Sequence, residues 1–251
     1  MGMSCVNAGS LEPIGYALMT TRYTTRTLHA PAVTPATPLA RMTVRAQTVN
    51  LVRSHSMREH KRSVIQRLLK ENAKFTPEKG MERWLTGYSD ASYKQLHPMA
   101  GGGWGCWVRD STTRILRSGP CPEWVSDSQD AELCGVFSAV HTALTRLDAE
   151  WANIMVVKLD NQGVARWFGW QGTGSFPRKT EQQDLVCRAL QAANAKGVRL
   201  IVTWVKGHRG TRDTAAYLNT QVDEMAGVAR RNRQHTVKTM VIHGSKPSVC
   251  P

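Results

Sequence analysis

Short, mainly apolar segments are separated by longer segments whose apolar residues recur every three or four positions. The short segments predict five strands, which lie at about residues 84–90, 103–109, 112–118, 153–159 and 199–205. The helical spacing predicts three long helices and one short one, which lie at about residues 130–146, 181–195 and 220–230 and just before Trp167. Turns are predicted at residues 101–103 and 110–111.

The order of these elements predicts an α/β fold. Three consecutive strands form an antiparallel meander, and the later strands return to the same sheet through crossover helices. We therefore expect a mixed five-stranded sheet flanked by helices. In such a fold the ends of neighbouring strands bring Asp90 and Asp160 together, while Glu132 enters from the helix packed nearby.

The segments that flank the predicted domain, residues 84–230, are basic. Residues 1–57 hold one acidic residue, five Arg and many Thr, and are predicted to form a disordered extension. The same composition is typical of an organellar transit peptide, and upstream sequence translated from a misassigned start is a further alternative. Residues 58–83 are predicted to be a basic amphipathic helix and linker, and residues 231–251 a basic tail.

The predicted helix within residues 58–83 has a narrow apolar stripe. Ile65, Leu68 and Leu69 follow helical spacing, while Arg and Lys occupy much of the remaining surface. Such a helix can dock its stripe on the domain or lie along a phosphate backbone. We expect docking.

The charge is distributed unevenly. The chain of 251 residues has a formal net charge of +14, which favours a nucleic-acid partner. Residues 84–229 hold 15 Lys and Arg and 14 Asp and Glu, a net of +1, so that nearly all the excess lies in the flanks. Strong nonspecific attraction to phosphates is therefore expected from the extensions.

The six cysteines show neither a CxxC pair nor a His spacing suited to zinc. Cys106, Cys134 and Cys187 lie in strand or helix patterns and are interpreted as buried thiols of a reducing compartment, which predicts an intracellular protein of the cytoplasm or nucleus, with the mitochondrion as an alternative. No apolar run approaches the roughly 18 residues of a membrane span, so no membrane partner is expected.

Four acidic residues carry the candidate chemistry: Asp90, Glu132, Asp160 and Asp223. Three of them stand at the ends of apolar strands or on apolar helix faces, where an unpaired charge is costly. Converging carboxylate oxygens are what a magnesium site requires. Two such ions about 4 Å apart can clamp the attacking and leaving oxygens of a phosphodiester. The pattern predicts a two-metal nuclease.

Several motifs occur in a familiar order. Residues 101–105 read Gly-Gly-Gly-Trp-Gly, Glu132-Leu133 opens a helix, a polar pair follows Asp160, residues 204–208 read Trp-Val-Lys-Gly-His, and Asn219 precedes Asp223 by four positions. Over residues 84–230 the chain resembles the type 1 ribonuclease H family. The resemblance implies an endoribonuclease that cuts the RNA strand of RNA–DNA hybrids with two Mg²⁺ ions, for which Mn²⁺ can substitute. It further implies a monomer without a protein partner.

The resemblance also implies roles for individual residues. Asp90 and Asp160 would coordinate both ions, Glu132 the leaving-group ion and Asp223 the water-activating ion, while His208 would assist proton transfer or product departure. Gln129 and Gln162 match positions that contact the minor groove, where the 2′-hydroxyl distinguishes RNA from DNA. The full set of expected substrate contacts is Ser92, Gln129, Asn161, Gln162, Trp167, Lys179 and Asn219.

The chain departs from the family pattern in three places. Ala91 replaces a common Gly, Asn161 replaces a common Ser, and the Trp-rich basic segment after Trp167 is shortened. Two alternatives remain open: a ribonuclease H segment of a retroelement or viral polyprotein, and a non-catalytic nucleic-acid-binding protein on the same fold. Loss of one of the four acids would favour the second alternative, and none is lost.

Overall fold

The computed structural model describes residues 39–95, 101–172, 175–207, 214–232 and 237–243, with side chains described from residue 56 onward except at residue 215. The helices of these ranges are α1 (Leu39–Lys74), α2 (Ser128–Arg146), α3 (Gln162–Trp167), α4 (Thr180–Ala195) and α5 (Thr214–Asn232). The strands are β1 (Trp84–Lys94), β2 (Gly101–Arg109), β3 (Thr113–Pro120), β4 (Ile154–Leu159), β5 (Arg199–Trp204) and β6 (Lys238–His243). A short 3₁₀ turn at Trp170–Gly172 follows α3.

One mixed sheet has the strand order β5-β4-β1-β2-β3-β6. β1, β2 and β3 form the expected antiparallel meander, and β4 and β5 join β1 in parallel. The α/β class and the mixed sheet with flanking helices are confirmed. The parallel pairing of β1 with β4 places the carboxyl ends of both strands at the same edge, which is where Asp90 and Asp160 lie.

The sheet has a sixth strand, β6, in the segment predicted to be a basic tail. It pairs antiparallel with β3 and consists of Lys-Thr-Met-Val-Ile-His, whose β-branched residues favour extended backbone. All six side chains are exposed, so the strand lies outside the core in which the other five strands take part.

Helix α1 begins at Leu39, inside the segment predicted to be disordered. Four prolines precede this residue, and residues 39–56 contain neither Gly nor Pro, so nothing in the sequence interrupts a helix after Pro38. Residues 1–38 lie outside the described part of the chain. None of the helices in the described ranges has the length and apolar character needed to cross a bilayer.

The second half of α1 docks on the sheet, as expected. Ile65 is fully buried and Leu68 is nearly so. The buried amide of Asn72 pairs with the backbone of the edge strand β5: its Nδ2 donates to Leu200 O and its Oδ1 accepts from Leu200 N, both at 2.8 Å. One side chain thus makes the two hydrogen bonds that a neighbouring strand would make, and covers part of this edge.

The two faces of the sheet are packed differently. The main core lies between the sheet and α2, α3 and α4, whereas a smaller cluster of Tyr88, Trp107 and Val222 lies under α5. Glycines in β2 allow α5 to approach closely. A Cβ built on Gly103 or Gly105 would overlap the backbone of α5, so only glycine permits this contact.

Candidate active site

Three of the four predicted acids meet at one point. Asp90 on β1, Glu132 on α2 and Asp160 after β4 each offer a carboxylate oxygen within 4.8 Å of the others. Asp90 and Glu132 are buried, with 4% and 6% exposed, whereas Asp160 is half-buried. The structure therefore brings together residues that lie 70 positions apart in sequence.

Glycines set the distances between the elements that carry these acids. A Cβ built on Gly135, one turn after Glu132, would lie 3.1 Å from Asp90 O, so α2 rests directly on β1. A Cβ on Gly207 would overlap the Asp160 carboxylate. Trp204 Nε1 also donates to Asp160 O at 3.0 Å. These contacts fix the position of Asp160 after the end of its strand.

Asp223 approaches the cluster from the opposite face of the sheet. It lies on α5, whose backbone packs against Gly105, the residue paired with Asp90. Its negative charge contributes to the raised pKa of Asp90, but it does not belong to the group within 4.8 Å. The described geometry is thus a triad with a fourth carboxylate nearby.

The cluster is electrostatically strained in the metal-free protein. Burial raises the pKa of Asp90 from 3.8 to about 8, with further contributions from the negative charges of Asp160 and Asp223. Burial also raises the pKa of Glu132 well above its usual value of 4.5, and the charges of Asp90 and Asp160 raise it further. Asp90 Oδ1 accepts from Ala91 N at 2.6 Å, which partly offsets these effects.

The donor set fits a hard divalent cation. It offers carboxylate oxygens, the ligands that Mg²⁺ prefers. Glu132 Oε2 is buried and has no hydrogen-bond partner among the described residues. Such an oxygen is costly in a folded protein unless a cation or donor reaches it. A divalent cation would satisfy this oxygen and offset the repulsion.

Two of the predicted substrate contacts lie together beside the triad. Gln129 is exposed, and its Nε2 would be 2.5 Å from a Cβ on Gly163, next to Gln162. Gln162 is also exposed, while Asn161 accepts from Val164 N at 3.1 Å and caps α3. The two glutamines are thus placed on one surface, as a shared role in groove contact requires.

Trp167 does not line a binding surface. It is 5% exposed and belongs to the main core, so it cannot stack on a sugar or base, and the predicted substrate contact is wrong. Its neighbour Trp170 is half-buried against Trp204, with ring centroids 5.9 Å apart. The apolar periodicity that predicted α3 also applied to Trp167, and core packing was the better interpretation of it.

The ammonium group of Lys179 is ion-paired within the protein, although 35% of its side chain is exposed. Its Nζ donates to Asp127 and Asp130 at 2.6 Å each and to Ser126 at 2.8 Å, which uses all three ammonium protons. Asp130 is fully buried and also accepts from Gln182 at 2.7 Å. Lys179 therefore joins α4 to the start of α2, and its predicted contact with substrate stays a prediction.

The remaining predicted residues differ in what the structure shows of them. Ser92 is half-buried and accepts from Arg230 Nε at 2.9 Å. Asn219 is buried, and its Oδ1 has no partner within the described ranges. His208 lies outside the described residues, so its role stays a prediction. Arg230 was not predicted to lie near the site. It follows Asp223 by seven residues, which places both on one helix face.

Comparison with known proteins identifies the family. A family model described as RNase H matches residues 82–231. Among solved structures, LC11-RNase H1 in complex with an RNA/DNA hybrid is 14% identical, with 59% of this chain and 98% of that chain covered and a TM-score of 0.46. LC9-RNase H1, a type 1 RNase H with the type 2 active-site motif, is 20% identical, with 65% and 78% covered and a TM-score of 0.46.

RNase H1 from the halophilic archaeon Halobacterium salinarum NRC-1 is 14% identical, with 59% and 98% covered and a TM-score of 0.41. No curated protein matches the chain in sequence. The family model covers more than half of the 251 residues. This protein therefore belongs to the RNase H family.

Proposed function

We propose that this protein is an endoribonuclease that hydrolyses the RNA strand of RNA–DNA hybrids with two divalent cations. The observation that carries the proposal is the triad of Asp90, Glu132 and Asp160, with a buried Glu132 oxygen that has no partner in the described part of the chain. A purely structural role would leave the mutual repulsion of these carboxylates without a cation to offset it. Retention of all four acids favours a catalyst over a non-catalytic binding protein.

The four acids would coordinate the two cations unequally. Asp90 and Asp160, at the centre, would each contact both ions, while Glu132 from α2 and Asp223 from α5 would each contact one. Bound cations would supply an activated water and stabilise the charge on the leaving 3′ oxygen. The rigid packing of α2 on β1 through Gly135 keeps the donor oxygens in place before substrate binds.

Selectivity for RNA is assigned to the surface beside the triad. Gln129 and Gln162 are exposed there and carry amide groups that can both donate and accept hydrogen bonds. Such groups can pair with the 2′-hydroxyl of an RNA strand in the minor groove. We assign the step of proton transfer or product departure to His208, which follows Gly207 in the sequence.

The test is cleavage of a labelled RNA–DNA hybrid beside matched RNA–RNA and DNA–DNA duplexes, with Mg²⁺, with Mn²⁺ and with EDTA. Metal-dependent cutting of the RNA strand of the hybrid alone is expected. Asp90→Asn and Asp160→Asn should abolish cutting, while His208→Ala should only slow it. Asp148→Asn, an exposed acid outside the cluster, is the matched control.

Calorimetric titration of Mg²⁺ separates ligands from other residues. Both Asn variants of the triad should lose most of the binding heat, and His208→Ala should retain it. Undiminished cleavage by Asp90→Asn or Asp160→Asn would refute the ligand assignment. A wild-type chain that binds Mg²⁺ but cuts no hybrid would refute the enzymatic function.

A further inference from the structure

Within the described ranges, the guanidinium group of Arg230 lies near the acidic site and has no carboxylate partner. Arg230 Nε donates to Ser92 Oγ at 2.9 Å, and its Nη1 is buried with no acceptor among the described residues. None of the ion pairs found in the described ranges includes Arg230. Its positive charge is therefore not neutralised by the part of the protein that the structure describes.

The packing of α5 on β1 and β2 holds this group in register with the acids. Arg230 follows Asp223 by seven residues, so the two lie on one helix face about 10 Å apart along the axis. The backbone of Arg230 rests on Gly103, which pairs with Ser92. Along β1, Asp90 and Ser92 lie on the same face about 7 Å apart. The carboxylates of Asp90 and Asp223 thus lie next to the pair formed by Arg230 and Ser92.

The chemistry of the second pair suits a phosphate. Ser92 Oγ accepts from Arg230, which leaves the hydroxyl proton of Ser92 free to donate. A guanidinium and a hydroxyl are both common donors to phosphate oxygens, and the charged bond is the stronger one. Both residues are half-buried, so part of each side chain reaches solvent, although Nη1 of Arg230 is itself buried.

We propose that Arg230 and Ser92 bind the phosphodiester of the RNA strand next to the one that is cleaved. The inference rests on the proposed function, because the cleaved phosphate at Asp90 fixes which neighbouring phosphate can reach the pair. The RNA strand is the occupant because Ser92 is only two residues from Asp90 on the same face of β1. The pair would hold the strand in register without taking part in bond cleavage.

Binding of a labelled RNA–DNA hybrid by the full chain in EDTA, across a series of salt concentrations, tests the pair separately from catalysis. Arg230→Gln should weaken binding about ten-fold and make the slope of log K against log salt shallower by about 0.9. Ser92→Ala should weaken binding with little change in slope. Arg231→Gln removes the same charge one position away, without the bond to Ser92, and measures the nonspecific electrostatic contribution. Thermal melting of each variant confirms that it folds.

A second arm uses the wild-type chain and alters the nucleic acid. A neutral methylphosphonate linkage is placed in turn at each position flanking the cleavage site, in the RNA strand or in the DNA strand. One RNA position should weaken wild-type binding about ten-fold and leave Arg230→Gln unaffected. The corresponding DNA positions should show no such dependence on Arg230.

With Mg²⁺, Arg230→Gln should raise KM and leave kcat nearly unchanged, because the pair contributes the same binding before and during cleavage. An effect of Arg230→Gln no larger than that of Arg231→Gln would overturn the inference and leave the proposed nuclease intact. So would dependence on a DNA-strand linkage. Failure of the wild-type chain to bind the hybrid would overturn both.

Discussion

Neutralising Asp90 should stabilise the metal-free protein while it abolishes activity. Asp90 is 4% exposed and has carboxylate neighbours within 4.8 Å. Two unit charges at that distance repel by about 3.5 kcal/mol at an effective dielectric constant of about 20. Asp90→Asn keeps the shape and removes this repulsion, so we expect the free energy of unfolding at pH 8 in EDTA to rise by about 3 kcal/mol. For a domain of this size that is about 6–12 °C in Tm.

The dependence on pH has a defined sign. The pKa of Asp90 is raised from 3.8 to about 8 in the folded protein, so between these values the folded state binds more protons than the unfolded state. The stability that Asp90 contributes is present below pH 3.8 and is lost as pH rises towards 8. The gain from Asp90→Asn should therefore be small at pH 5 and largest at pH 8.

The assay is thermal and urea unfolding of wild type, Asp90→Asn and the control Asp148→Asn at pH 5, 6.5 and 8, with EDTA or Mg²⁺. Mg²⁺ should stabilise the wild type by an amount that grows with its concentration, and should not stabilise Asp90→Asn. The reasoning is refuted if Asp90→Asn is no more stable than the wild type at pH 8 in EDTA. It is also refuted if the gain is as large at pH 5 as at pH 8.

Three further predictions concern residues that hold the elements of the site together. Asn72→Ala should lower the free energy of unfolding by about 3 kcal/mol in urea, because two buried backbone groups of β5 lose their partners. Gly105→Ala should lower both Tm and hybrid cleavage by displacing α5, whereas Gly227→Ala, within that helix, should stabilise by about 0.5–1 kcal/mol in the same unfolding assay. Lys179→Met should destabilise by about 2 kcal/mol, since Asp130 stays buried without its cation, and should leave the salt dependence of hybrid binding unchanged.

Local patterns in the sequence were sufficient to predict most of the fold. Each of the five predicted strands is a short, mainly apolar segment, and the meander followed by crossover helices leaves few arrangements open. β6 escaped prediction because its six side chains are exposed on both faces. Its pairing depends on the free edge of β3, a tertiary feature that no short window of sequence contains.

The candidate site shows the same division between local and distant causes. The triad was predictable because each acid occurs in its own local pattern, and strand order alone brings Asp90 and Asp160 together. The ion pairs of Lys179 were not predicted, because its partner Asp130 lies 49 residues away and an isolated basic residue carries no sign of an internal partner. Trp167 was misinterpreted because an aromatic residue near a Gly-rich segment can serve either packing or binding.

Cation binding at the site depends on the close approach of its helices and strands as much as on its acids. Gly135 sets the distance from α2 to β1, Gly207 sets the loop against Asp160, and Gly105 sets α5 against the strand that carries Asp90. A methyl group at Gly105 or Gly207 would overlap a carbonyl or carboxylate oxygen, and at Gly135 it would crowd one. Where the carboxylates are ionised, their repulsion opposes the close approach of these same elements. Close packing through glycine fixes the spacing of the acids, so a chain with all four acids but bulkier residues at these positions should bind cations poorly.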